Sequence, residues 1–190
     1  MRVLGEAASE RIGRPLSECD HVELYSCFPL AVRVQQRELG LPVDGTPTIT
    51  GGMAFAGGPF NSFVLQATAA MAQRLRDQPG RGLVTTVSGM LTKPGLAVWA
   101  SEPADQPPLV RDFADEAIAA TETLDVVSTY DGPATIAAYT VTYDGLEPKE
   151  VVAIVDTSDG ARAIAKRSDR ALLDRAVSDD LIGVSLAAAP

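Results

Sequence analysis

Two cysteines and the chain's one histidine, Cys19, His21 and Cys27, fall within nine residues of one another. Thiol and imidazole groups at such spacing suit a metal or a cysteine nucleophile with a histidine base. Tetrahedral zinc takes four ligands, and the chain holds no second cysteine or histidine pair to complete the set, so a metal site is not expected. No lysine, arginine or histidine adjoins Cys27 in Tyr25-Ser26-Cys27-Phe28-Pro29 to favour its thiolate, and such a cysteine is expected to be a small packing residue. Cys19, in the polar run SECDH, is expected to be exposed or at a turn, and His21 at a loop or strand edge. A second feature is GGMAFAGGPFN, residues 51–61, with four glycines and a proline ahead of a helix-like run. Glycine serves where the backbone takes positive φ or approaches another group closely. The segment reads either as a cradle of backbone N–H groups for an anion or substrate oxygen, or as a tight strand-to-helix turn.

The elements that must position these residues follow from periodicity. Val3, Leu4, Ala7, Ala8 and Ile12 recur at helical spacing until Gly13-Arg14-Pro15. HVELYSCF reads as a strand, with Pro29 opening a helix over Leu30–Leu39 whose apolar line is Leu30, Ala31, Val34 and Leu39 and whose cap is Gly40. Thr48-Ile49-Thr50 reads as a brief strand. Phe63, Val64, Ala67, Ala70, Met71 and Leu75 define a helix from about Asn61 to Arg76, and GLVTTVSG and LAVWAS form an antiparallel pair turning at Gly89. The order βαβαββ implies a layered α/β unit over residues 1–100.

The proline-rich, acidic run SEPADQPPL, residues 101–109, is expected to be a linker. Over residues 110–190 strand-like runs dominate: LDVVST, ATIAAYTVTY, EVVAIVD and ARAIAK, with hairpin signals at Asp144-Gly145 and Asp159-Gly160. A helix capped by Ser168 and a last strand in LIGVSLA complete a β-rich unit. The pattern suits a small OB-type barrel and equally a half-open sheet.

Composition excludes several functions. A net charge of −9 with 16 basic residues that form no stripe lacks the electrostatic footprint of a nucleic-acid binder. No apolar run approaches the roughly 20 residues of a membrane helix, and the first residues lack the apolar core of a secretory signal, so a cytoplasmic setting without membrane contact is expected.

Three segments in order, ELYSCFP, TGGMAFAGGPFN and LVTTVSGMLTK, resemble the C-terminal half of thiolase-superfamily acyltransferases, in the acetyl-CoA acetyltransferase-like branch called thiolase-like protein type 1. The β-rich segment after residue 110 is similar in size and character to that branch's additional C-terminal domain. The resemblance implies thioester chemistry, a Claisen condensation or its reverse. That reaction needs a thiolate, a base for the carbon acid and donors for two oxyanions.

The chain departs from the pattern at each of those points. Tyr25-Ser26-Cys27-Phe28 stands where thiolases have N-E-A-F and the sterol-carrier-protein type has H-D-C-F. Gly57-Gly58-Pro59 stands where they have G-H-P, and the Val84–Gly89 loop lacks the cysteine of C-x-G-x-G. Loss of a positioned base or oxyanion donor costs on the order of 10²–10⁴ in rate. The resemblance therefore implies Tyr25 and Cys27 as catalytic candidates and Gly57, Gly58, Asn61, Ser88 and Gly89 as substrate contacts, with acyl-CoA as substrate and neither metal nor separate cofactor. The nucleophile-bearing half of a thiolase would precede Met1, which leaves a naturally separate small subunit, a shortened gene product or a piece of a larger polypeptide as readings of the chain. An accessory subunit joined to such a half, in a homo- or hetero-oligomer, is expected, and catalysis by this chain alone is not. The alternatives are a divergent acyltransferase or lyase active only with a partner chain, and a non-catalytic acyl-CoA-binding or structural module.

Overall fold

The computed structural model describes residues 1–58, 60–89 and 91–186. Pro59 and Met90, inside two of the segments quoted above, and Ala187, at the end of the last strand-like run, lie outside the described residues. The chain divides into two compact units, Met1–Ala120 and Thr121–Pro190.

The first unit is a three-stranded sheet with helices on both faces. Its elements are α1 (Arg2–Ile12), a 3₁₀ turn at Leu16–Glu18, β1 (His21–Glu23), α2 (Pro29–Leu39), α3 (Met53–Ala56), α4 (Phe63–Asp77), β2 (Arg81–Ser88), β3 (Lys93–Ala100) and α5 (Ala114–Ala119). The strand order is β1-β2-β3. β1 runs parallel to β2 with Glu23 opposite Val84, and β2 runs antiparallel to β3. The central strand is buried from Gly82 to Thr85, as expected of a strand covered on both faces. Leu83 packs with Leu16, Leu24, Leu39 and Leu41 under α1 and α2. Its neighbour Val84 packs the other way, with Phe63, Ala67, Met71 and Leu75 of α4. α4 approaches so closely that a Cβ on Gly82 would lie 2.1 Å from the Met71 sulfur. Only glycine fits that register without displacing Met71.

Several elements match the periodicity reading, and four differ. α1 and α2 stop at the left-handed glycines Gly13 and Gly40. The buried positions of α2, however, are Ala31, Gln35, Gln36 and Leu39, while Leu30 is exposed. The two glutamines go inward because each amide finds carbonyl acceptors there: Tyr25 and Ala31 for Gln35, and Pro42 for Gln36. HVELYSCF is a strand only as far as Glu23, since the next amides leave the ladder for the Pro47 carbonyl and the Thr85 hydroxyl. Thr48-Ile49-Thr50 is not a strand. Its Ile49 and Thr50 N–H groups are drawn to the Glu23 carboxylate instead of a neighbouring chain, so the observed order is βαααββ after α1. α5, six residues long, is too short to show a helical period in the sequence.

The second unit holds β4 (Ala134–Asp144), β5 (Glu147–Thr157), β6 (Arg162–Arg167), α6 (Arg170–Ser178) and β7 (Ser185–Leu186). β4, β5 and β6 form a meander, and after α6 the chain returns to place β7 antiparallel to β4, giving the order β6-β5-β4-β7. Among the described residues the sheet is open and has four strands, the half-open form of the two expected, one strand short of the five of an OB barrel. Ile136, Val151, Val155, Leu173 and Leu181 form its core. LDVVST contributes only a parallel bridge, Val126 to Arg162, where Val127 donates to the Arg162 carbonyl and Arg162 to that of Asp125. The α6 cap is Asp169, not Ser168: the Asp169 carboxylate accepts the Leu172 N–H at 2.9 Å.

Candidate functional site

Because β1 and β2 are parallel, their carboxyl ends lie on one edge of the sheet, where ligand crevices of α/β folds form. The chain leaving β1 is held to that edge residue by residue. Tyr25 N–H donates to Thr85 Oγ1 at 2.9 Å; Thr85 Oγ1 donates to Gln35 Oε1 at 2.6 Å; Gln35 Nε2 returns to the Tyr25 carbonyl at 2.8 Å. Thr85 and Gln35 are each 1% exposed, so this closed loop of polar groups is shielded from water and fixes the Tyr25 backbone. The Tyr25 ring turns toward α4 and meets Phe63 edge to face, with centroids 5.7 Å apart.

Ser26 ties this edge to the glycine segment: its Oγ accepts the Met53 N–H at 2.9 Å. Gly52 and Gly57, which flank α3, share φ 74° with ψ near 180°, a region open essentially to glycine alone. α3 spans a single turn, so the segment is a pair of glycine corners around one helical turn. At Gly58, where the family resemblance places a histidine, an added Cβ would meet the Met53 side chain at 3.1 Å. Met53 in turn packs against the α4 core. The three nearest atoms that a Cβ at Gly58 would meet all belong to the Met53 thioether side chain.

The remaining residues named from the sequence are spread along the edge. Cys27 is exposed, contrary to the packing role expected for it, because the chain has already left the sheet for the first turn of α2. Asn61 is exposed ahead of α4. Ser88 ends β2 exposed, opposite Lys93, and Gly89 begins the hairpin turn at φ 59°. Among the described residues no hydrogen bond joins Cys27, Asn61 or Ser88 to Tyr25. The structure therefore brings together Tyr25, Ser26, the glycine corners and Thr85, and leaves the other three as separate exposed groups.

The groups best suited to moving protons stand at the other end of the sheet. His21 opens β1, with Nε2 3.0 Å from the Gln78 carbonyl. Four residues of extended chain separate it from Tyr25, about 13 Å, whereas a base must come within about 3 Å of its proton. Cys19 caps the 3₁₀ turn and is half-buried against the leucine core. Burial pushes its thiol pKa up, Asp20 adds to the shift, and Arg81 and Arg14 offset part of it. Among the described residues no group of three or more histidine, cysteine, aspartate or glutamate side chains is placed to hold a metal ion, and no helix is long and apolar enough to cross a membrane.

Sequence reasoning missed Glu23, which is fully buried. Its carboxylate takes the Ile49 N–H at 2.7 Å, the Thr50 N–H at 2.9 Å and the hydroxyls of Thr48 and Thr50 at 3.0 Å. It anchors the loop that enters the glycine segment. The only signal in the sequence was an acid inside an otherwise apolar strand pattern, facing the T-x-T run.

Comparison with known proteins places this geometry. Residues 114–189 match the family model of the thiolase-like protein type 1 additional C-terminal domain. The chain is similar to a solved structure, a monomeric SCP2-thiolase like protein type 1 from Mycobacterium smegmatis, at TM-score 0.83 and 30% sequence identity over 97% of its own length. It spans 42% of that protein's length. No curated protein matches it. The end of the chain therefore matches the additional C-terminal domain of thiolase-like protein type 1, and nearly its whole length is similar in fold to part of an SCP2-thiolase like protein type 1.

Proposed function

We propose that this chain is the thioester-positioning part of a thiolase-like acyltransferase, acting as an accessory subunit beside a polypeptide that carries the nucleophile. One observation carries the reading. The carboxyl edge of β1 and β2 presents Tyr25, Ser26 and the glycine corners, while the one histidine lies at the opposite end of β1 and apolar Met53 fills the space beside Gly58. Among the described residues such an edge supplies shape and hydrogen-bond donors but no histidine, and acyl transfer needs a positioned base as well. The share of the solved relative left unmatched, 58% by difference from the matched 42%, is where a complementary polypeptide finds its model.

The test is a pair of measurements on the full chain. Calorimetric titration with acetyl-CoA is expected to give saturable binding, and a thiolysis assay with acetoacetyl-CoA is expected to give no turnover by the chain alone. Turnover by the chain alone overturns the accessory reading. Absence of any acetyl-CoA binding, alone or with a partner, overturns the thioester assignment.

A further inference from the structure

The sheet of the second unit ends in two edges of different character. The β6 edge carries three cations in six residues, Arg162, Lys166 and Arg167, and is bridged at its start by Val126. Charge on an edge strand deters another strand from adding to it. The β4 edge has no such guard. β7 covers it at Ala134 and Thr135, and Gly183 and Val184 extend the cover to Ile136. From Ala138 to Tyr143 the strand is uncharged, free of glycine and proline, and rich in β-branched and aromatic residues. Among the described residues only β5 pairs with that stretch. Ala138, Thr140, Thr142 and Tyr143 are exposed. The strand also outruns its support. β6 pairs with β5 from Val151 to Asp156, and Val151 stands opposite Val141, so beyond Val141 the hairpin is a two-stranded ribbon. Such a ribbon is marginal in water until a third strand joins it.

We infer that β4 is a dimerisation strand, pairing antiparallel with the β4 of a second copy of this chain about a two-fold axis at Val141. The inference goes beyond the proposed function and does not rest on it. The residues are self-complementary in that register. Tyr139 falls opposite the second copy's Tyr143, Thr140 opposite its Thr142 and Ala138 opposite its Asp144, so no like charges meet. Tyr139 and Val141 pack on the core of the unit, and the second copy's Tyr143 arrives on that same face. A slip of one residue would put the two core faces on opposite sides of the joined sheet. The unsupported end of each ribbon gains the anchored stretch of the other as its third strand, which makes the contact isologous and closed. The M. smegmatis relative is described as monomeric. At 30% identity that description stays with the relative and makes oligomeric state the decisive measurement.

The experiment is sedimentation equilibrium of the full chain from about 1 μM to about 1 mM. The mass is expected to rise with concentration from 19.9 kDa toward twice that value, and amide exchange of residues 138–144 to slow as it does. Thr140→Lys with Thr142→Lys sets lysines directly opposite one another across the axis and is expected to weaken the dimer at least tenfold, as is the corresponding pair of glutamates. Mixing the lysine and glutamate variants is expected to restore a dimer containing one of each, read by native mass spectrometry. Both positions are exposed, so circular dichroism should keep the unsubstituted spectrum. A chain that stays at 19.9 kDa throughout leaves the edge to a strand of another protein and overturns the inference. A dimer that leaves exchange of residues 138–144 unchanged or tolerates the lysines, or variants that fail to pair when mixed, puts the contact elsewhere and overturns it too.

Discussion

The Glu23 carboxylate accepts both the main-chain N–H of Thr50, at 2.9 Å, and the Thr50 hydroxyl, at 3.0 Å, across 27 positions of sequence. This double contact holds the entrance of the glycine segment against the end of β1. Glu23→Gln keeps the shape but turns an amide NH₂ toward donors, leaving at least one buried N–H or hydroxyl without an acceptor. A loss of about 1–3 kcal/mol is expected, read as a lower urea midpoint at unchanged slope. Glu23→Ala should cost at least as much.

Thr85 and Gln35 should prove coupled. Thr85→Val removes both the acceptor of the Tyr25 N–H and the donor to Gln35 Oε1, with an expected cost of about 1–3 kcal/mol. Gln35→Leu removes the other side of the same loop. A double-mutant cycle should return an interaction of about 0.5 kcal/mol or more, and strict additivity would show that the two side chains act independently.

Acid should loosen the contact between α1 and α2. Burial pushes the Glu38 pKa up, but the hydrogen bond from Arg37 and the charge of Arg2 outweigh it and hold the carboxyl below its ordinary value. A depressed carboxylate stabilises the fold above the unfolded pKa, about 4.3, and that share disappears as the pH falls through the lower folded value. Both arginines are largely exposed, so the effect is modest, a few tenths of a kcal/mol to about 1. Glu38→Gln should flatten the pH dependence of the melting temperature below about pH 4.3.

The two thiols should separate kinetically. Cys27 is exposed, while half-burial and Asp20 raise the Cys19 thiol and lower its thiolate fraction at neutral pH. Alkylation of the native chain should show one fast and one slow equivalent, with Cys27→Ser deleting the fast one. Equal rates would contradict the environment of Cys19.

Much of this architecture was readable from residue order alone. α1, α4 and the β4–β5 hairpin follow from apolar spacing and from glycine at turns. The glycine content of residues 51–58 reflects a real demand, since Gly52 and Gly57 take backbone angles other residues avoid. What escaped notice depended on contacts between distant positions. Gln35 and Gln36 look like surface residues until Tyr25 and Pro42 bring carbonyls to them. Thr48–Thr50 has strand-like composition, yet a single buried acid claims its amides. Cys27 looks like a core residue by type and is exposed because the strand ends four positions before it. Periodicity reports which face a residue belongs to, not which partner will arrive there.

The parallel pairing of β1 with β2 has a consequence for the order of assembly. Tyr25 waits for Thr85, 60 positions downstream, whereas β4 meets β5 across the two residues Gly145 and Leu146. Closing the longer span demands more chain entropy before any contact repays it. During synthesis β1 therefore emerges and stays without its neighbour until α4 and β2 have followed, while the later-made hairpin zips almost as it appears. The first sheet cannot close until Ser88 has been made, whereas the hairpin of the second unit needs only its own two arms.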